Sequence, residues 1–198
     1  MLVLKTFDAP RELHTRRTAL RTWQDTDLPE WVAMNADPQV RRYFPTLLSP
    51  DEALAEAVRM RATLARRGWG LWALEVPGVL PFAGFVGLAV VHLDVPFAPA
   101  LEIGWRLPCA AWGQGLASEA AAAVLEFAFT RLDLDEVVSF TSASNEPSKR
   151  VMRRLGLQHD VAADFEHPRI EAGHPLRSHQ LSRIGREAFH ARRERLAT

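Results

Sequence analysis

An α/β fold, with a mixed and mostly antiparallel central sheet covered by helices on both faces, is predicted by three observations. Segments 69–76, 82–92 and 100–107 read as consecutive strands with short joins, an antiparallel meander. Two strand-like runs each turn abruptly into a helix, one through Trp112-Gly113-Gln114-Gly115-Leu116-Ala117 and one through Asn145-Glu146-Pro147-Ser148. Helix-prone stretches both precede and follow the meander, so each face of the sheet can be covered.

The elements follow in order. Alternation across 12–20 predicts a first strand, and helical spacing predicts helices over 28–36 and 49–67. The start of the second helix is marked by Ser49 before Pro50 and by Glu52 as the capping-box partner of Ser49, with Leu54, Ala57, Val58 and Arg61 at helical spacing. Strands 69–76 and 82–92 are joined by Pro77-Gly78-Val79-Leu80-Pro81, and strand 100–107 lies third. Residues 116–130 form a helix with alanines on nearly every side, which lets a sheet approach closely. A strand at Val137-Val138-Ser139-Phe140-Thr141, a helix from Pro147, and late strands over 157–165 and 176–184 complete the pattern. Residues 185–198 are charged and helical, with Arg192, Arg193 and Arg195 near the end. They read as a short solvated tail whose cations suit a helix C-terminus.

With 198 residues and 47% hydrophobic side chains, one domain spanning 1–198 is expected. Lys plus Arg equals Asp plus Glu at 24 each, so the chain lacks the overall basic field that dominates nucleic-acid binding, and no nucleic-acid partner is expected. Cys109 is the only cysteine, which fits a reducing, cytoplasmic setting and offers no disulfide. The run Met1-Leu2-Val3-Leu4-Lys5 is too short for a signal-peptide core, and no apolar run approaches the roughly 20 residues of a membrane span, so no membrane partner is expected. No metal is expected, because the histidines and carboxylates keep no recognised ligand spacing.

Chemistry is concentrated at the two elbows. In the first, Gly113 and Gly115 allow a sharp turn and a close ligand approach. The helix that follows presents its first N–H groups, from Gln114, Leu116, Ala117 and Ser118, to negative charge. The guest implied is an anion such as a pyrophosphate. In the second elbow, Asn145 is a natural helix N-cap, a role worth about 1 kcal/mol. Lys149, Arg150, Arg153 and Arg154 follow it on the helix, either as phosphate contacts or as an ordinary solvated face.

Together the elbows resemble the GNAT superfamily of acyl-CoA-dependent N-acetyltransferases. The family's loop reads Gln/Arg-x-x-Gly-x-Gly/Ala, and Gly115 and Ala117 match its end. Trp112 replaces the usual Gln or Arg, a departure most similar to the RimJ/RimL-like branch with its Trp-Gly-Lys-Gly-Tyr-Ala. That branch continues as Asn-x-x-Ser and a Gly-Phe. Here Asn145, Ser148, Val151, Leu155 and Gly156 stand at those places, with Leu157 for the Phe. The likeness runs from near Leu13 to near Ile184 and implies a GNAT-like fold with acetyl-CoA as co-substrate. The pyrophosphate would lie on Gly113 to Ser118, Asn145 would meet the pantetheine arm, and Lys149 or Arg150 the phosphates. The acceptor implied is a primary amine of a protein or peptide N-terminus or of a small metabolite, and homodimers occur in the family.

Attack of a neutral amine on a thioester requires a base, an oxyanion donor and an acid for the departing thiolate. Many relatives use a Tyr seven residues after the Asn as the acid. Met152 holds that position here, and the only tyrosine is Tyr43. Ser148 is what the resemblance offers as acid, with a first-turn helix hydroxyl as the competing reading. Glu102 is the base candidate, set opposite its neighbours by the alternation Leu101-Glu102-Ile103-Gly104-Trp105; an exposed strand carboxylate is the competing reading. By family analogy, a bulge in this strand frees a backbone N–H for the oxyanion. His92, His167 and His174 could relay a proton or simply close turns. Trp23, Trp31, Tyr43 and Phe44 surround the first helical segments, which in this family shape the acceptor pocket; core packing is the reading for most of them, and an aromatic wall beside Asp37 or Glu30 could receive an amine. Two readings compete with an enzyme: a non-catalytic CoA-binding sensor of the same fold, and a nucleotide-binding protein using the same glycine-rich elbow.

Overall fold

A computed structural model describes residues 4–197. Nine strands form one sheet among those residues: β1 (Leu13–His14), β2 (Ala19–Arg21), β3 (Leu71–Glu75), β4 (Phe85–Val90), β5 (Leu101–Arg106), β6 (Glu136–Ser142), β7 (Gln158–His159), β8 (Phe165–Glu166) and β9 (Ser178–Gly185). Their order is β1-β2-β3-β4-β5-β6-β9-β7, with β8 also against β9. Every pairing is antiparallel except β5 with β6. The α-helices are α1 (Leu28–Ala36), α2 (Pro50–Arg67), α3 (Leu116–Thr130), α4 (Glu146–Leu155) and α5 (Arg186–Ala197).

Local rules account for most boundaries. Ser49 accepts from the Glu52 N–H while the Glu52 side chain returns to the Ser49 N–H, so the expected capping box starts α2. Gly68 ends that helix at φ 75°, in the left-handed region. The alanines of α3 permit close approach: Ala120, Ala121, Val124 and Ala128 are buried against the sheet. Alternation along β5 sorts its side chains. Leu101 and Ile103 are buried, whereas Arg106 reaches Asn35 of α1 and Glu56 of α2 on the opposite face. Glu102, Gly104 and Arg106 thus share the face that α1 and α2 cover.

Three expectations need correction. The strand expected over 12–20 is a hairpin of β1 and β2, because the Thr15 hydroxyl captures the Thr18 N–H at 2.9 Å and replaces ladder bonds with a local turn. The strand expected over 157–165 is broken into β7 and β8 by a turn of 3-10 helix at Val161–Ala163. There the Asp164 carboxylate accepts from the Leu181 N–H at 3.1 Å, taking a bond a continuous strand would have made. The segment read as a solvated tail docks as α5. Phe189 is buried, with its ring centroid 4.9 Å from that of Phe129. Arg186 ties the helix start to Asp133, and Arg193 pairs with Glu126 at 2.8 Å.

Among the described residues no helix is long and apolar enough to cross a membrane.

Candidate active site

The site begins with a defect in the sheet. β4 and β5 pair at six consecutive positions, whereas among the described residues β5 meets β6 only at Glu102 and Val138. Beyond that pair the two strands diverge, and a cavity of about 680 Å³ opens between them. The Val91 N–H donates to the Ala100 carbonyl at 2.9 Å, so residues 100, 102, 104 and 106 turn their backbone polar groups toward β4. Those of Trp105 therefore face the diverging β6 and project into the cleft. The expected bulge is absent from the regular β4/β5 register; divergence of β6 frees the edge instead.

The first elbow closes one end of the cleft. Gly113 and Gly115 adopt φ of 75° and 78°, which a side chain would strain. A Cβ at Gly113 would meet nothing within 4 Å, and one at Gly115 only Arg17 Nη2 at 3.5 Å, so the space before α3 is open to a ligand. No side chain caps α3, and the Ser118 hydroxyl is buried without a partner. Unpaired donors at a helix N-terminus fit an anion. Gly113, Gly115, Leu116, Ala117 and Ser118 all line the cavity. Gln114 does not: its side chain donates back to the Ala110 carbonyl at 2.8 Å, and its own carbonyl accepts from Arg17 Nη1 at 3.0 Å.

Arg17 belongs to a clamp that the sequence did not reveal. Glu119 Oε2 accepts from Arg17 Nε at 2.6 Å, and Oε1 accepts from Thr15 Oγ1 at 2.7 Å and from the Arg17 N–H at 2.8 Å. Partial burial works against ionisation of Glu119, but these bonds outweigh it and hold the carboxyl below its ordinary range. The β1/β2 hairpin is thereby locked to the glycine loop. Glu119→Ala should raise KM for acetyl-CoA about tenfold with little change in kcat, the scale of one charge-assisted contact. Steady-state kinetics at varied acetyl-CoA checks this.

The second elbow lines the opposite wall. Asn145 caps α4 by accepting from the Ser148 N–H at 3.2 Å, and its Nδ2 donates to Thr141 Oγ1 at 2.8 Å. Asn145, Ser148 and Met152 all face the cavity. Lys149 is the exception among the residues expected here. Its Nζ donates to the Ala143 carbonyl and pairs with Glu146, both at 2.6 Å, and it lies outside the cavity. The Lys149 ammonium is thus engaged by the protein rather than turned to the cavity. Arg150 and Arg154, four apart on one helix face, line the cavity in its place.

Glu102 also lines the cavity. Desolvation pushes its pKa up to about 8, so its carboxyl titrates where an α-amine does. Of the histidines singled out, only His167 faces the cavity. Burial, then neighbouring His179 and Arg169, lower it to about 4, so it is neutral near pH 7. The His174 ring accepts from the Leu176 N–H at 3.1 Å as a turn residue, and the His92 carbonyl accepts from Arg169. Trp23 and Trp31 are core residues, whereas Tyr43 and Phe44 border the cavity. Sequence reasoning also missed Arg106 and His179. Arg106 was legible, standing four residues after Glu102 and hence on the same strand face; His179 depends on the fold of the 160–178 segment.

Fold and cleft together define an acetyltransferase of the GNAT type. The chain belongs to the GNAT acetyltransferase family: the model of the acetyltransferase (GNAT) domain matches residues 17–158. It is 37% identical over 146 residues to the uncharacterized N-acetyltransferase YnaD of Bacillus subtilis, covering 74% of this chain and 82% of that protein. Among solved structures, a GNAT-family acetyltransferase from Bacillus anthracis superposes with a TM-score of 0.73 at 20% identity, covering 89% of this chain and 99% of that one. Mycobacterium smegmatis RimJ in complex with CoA-disulfide superposes at 0.70 with 21% identity, covering 91% and 92%. The protein is thus an acetyl-CoA-dependent acetyltransferase.

Proposed function

We propose that this enzyme transfers the acetyl group of acetyl-CoA directly to a primary amine, of a small metabolite or a peptide N-terminus, in the manner of the RimJ/RimL-like branch. The observation that carries the reading is a deeply set carboxyl, Glu102, in the cleft where β5 presents an unpaired backbone edge. When bound, acetyl-CoA supplies a thioester carbonyl activated toward amines.

The residues divide the remaining work. The uncapped N-terminus of α3, with Gly113, Gly115 and Ser118, holds the pyrophosphate. Arg150 and Arg154 meet further phosphate charge. Asn145 orients the pantetheine arm while capping α4, and the free edge of β5 pairs with its amides as a neighbouring strand would. Glu102 takes a proton from the incoming ammonium, the unpaired backbone N–H of Trp105 faces the developing oxyanion, and Ser148 can return a proton to the departing sulfur. Solved RimJ in complex with CoA-disulfide supports the cofactor assignment.

A thiol-release screen with acetyl-CoA against small amines and peptides tests the reading. Turnover with at least one amine, reduced about tenfold or more in Ser148→Ala and accompanied by weaker acetyl-CoA binding in Asn145→Ala, is the expected result. CoA binding with no thiol released from any amine would leave only a binding module.

A further inference from the structure

The cavity wall on the α1/α2 side carries a charge arrangement that amine transfer alone does not require. The Arg106 guanidinium lies among three aromatic rings, 5.1 Å from the centroid of Trp31, 4.5 Å from Phe44 and 5.5 Å from Phe85. Its Nη1 donates to Asn35 Oδ1 at 2.7 Å and to Glu56 Oε2 at 3.1 Å. Its Nε is buried with no partner, and its Nη2 makes no hydrogen bond among the described residues. Asn35 Oδ1 accepts a second guanidinium as well, from Arg41 Nη1 at 3.1 Å. Two arginines therefore converge on one neutral oxygen, and among the described residues the carboxylate bonded there, Glu56, meets Arg106 alone. Burial and then the repulsion of Arg106 lower Arg41 to about 10, against the opposing pull of Glu56 and Glu52.

Buried guanidiniums with unused donors call for an anion, and the planar fork matches a carboxylate best. Glu102 stands two positions from Gly104 and four from Arg106 on the same strand face. A Cβ at Gly104 would meet only Glu102 Oε1, at 3.8 Å, so the span between the two charged groups is clear. The strand rise separates the Cα atoms of Glu102 and Arg106 by about 13 Å, a span that a short linear spacer can bridge.

We infer that the acceptor carries a carboxylate as well as its reactive amine, the amine held at Glu102 and the carboxylate at Arg106. This rests on the acetyl-transfer reading for the role of the amine, but the anion site can be tested without turnover. The probes are ω-acetamido carboxylates with two to six methylenes and their carboxamides, which mimic acetylated products. Each is titrated calorimetrically into CoA-saturated protein.

At least one carboxylate should bind about tenfold or more tightly than its amide, the difference one charge-assisted pair makes. Arg106→Gln should erase that difference while CoA still binds. Glu56→Gln keeps Arg106 and removes its opposing charge, so the preference should widen; this variant decides the matter if Arg106→Gln does not fold. Equal binding of acids and amides by the unaltered protein, or a preference indifferent to both substitutions, overturns the inference. Thiol release from ω-amino carboxylates and from short peptides with Asp or Glu at the second position then tells the two sources of carboxylate apart. Turnover without acid preference would sink the anion site and spare acetyl transfer. Acid-selective binding without turnover would do the reverse.

Discussion

Glu102→Gln should lower kcat about 100-fold or more, the usual contribution of a positioned general base, while leaving the dissociation constant for CoA nearly unchanged. Its pH dependence distinguishes this from a packing defect. The Glu102 carboxyl keeps its proton up to about pH 8 because it is desolvated, so the rate of the unaltered enzyme should rise through that pH as the base form appears. The Gln variant should lose that limb. Stability should move the other way. Below the ordinary carboxyl range near 4.5, both folded and unfolded chains hold the proton. Between there and about 8 only the unfolded chain releases it, so the unaltered protein loses stability as pH rises. Gln has nothing to titrate, and its melting temperature relative to the parent should therefore be higher at pH 8 than at pH 5. A gain in stability with a loss in rate marks a group placed for chemistry.

The largest structural effect is expected at Gly84. It adopts φ 91°, and a Cβ there would lie 2.0 Å from the Arg106 carbonyl oxygen and 3.0 Å from the Leu107 Cα. Neither obstacle is a flexible side chain, so Gly84→Ala must push the start of β4 away from the end of β5. Left-handed strain and overpacking of backbone together cost about 3–5 kcal/mol, or about 10 °C in melting temperature for a domain of this size. Gly113→Ala supplies the control. Its φ is 75°, yet a Cβ there meets nothing within 4 Å, so only the conformational cost of about 1–2 kcal/mol applies. Comparing the two variants by thermal melting separates crowding from strain. Because Gly84 abuts the strand end that carries Arg106, its replacement should also impair selection among acceptors in any protein that still folds.

What could be read from the chain depended on how local the cause was. The helix α3 follows from the glycine turn before it and its run of alanines, and α2 from its capping box; both bounds match the structure. The meander was legible because its apolar runs are set off by turn residues such as Pro77, Gly78 and Pro81, although each strand is shorter than the run that predicted it. The hairpin of β1 and β2 was hidden, since Thr15 and Thr18 suit a strand as well as a turn and only the Thr15 hydroxyl bonds decide. The docking of α5 was hidden for a related reason: Phe189 is the only Phe, Trp or Tyr in a charged stretch, and its partner Phe129 lies in another helix. Within the site, the glycine turn was legible from sequence, while the engagement of Lys149 was not. Its side chain chose the Ala143 carbonyl and Glu146, a competition invisible without coordinates. The clamp of Arg17 on Glu119 joins residues 102 positions apart, which no local pattern reports.

Among the described residues β5 and β6 share a single ladder pair, which divides the sheet into two panels, β1–β5 on one side and β6 with β7–β9 on the other, with α3 lying across both. A linear guest carrying amides along its length can supply rungs that the protein omits, and so becomes a masonry element of the sheet while it is being consumed. Under the proposed binding mode, loading the enzyme would also complete it, and its resistance to heat should track saturation logarithmically. Release of the spent carrier returns the molecule to its less finished form, ready for the next.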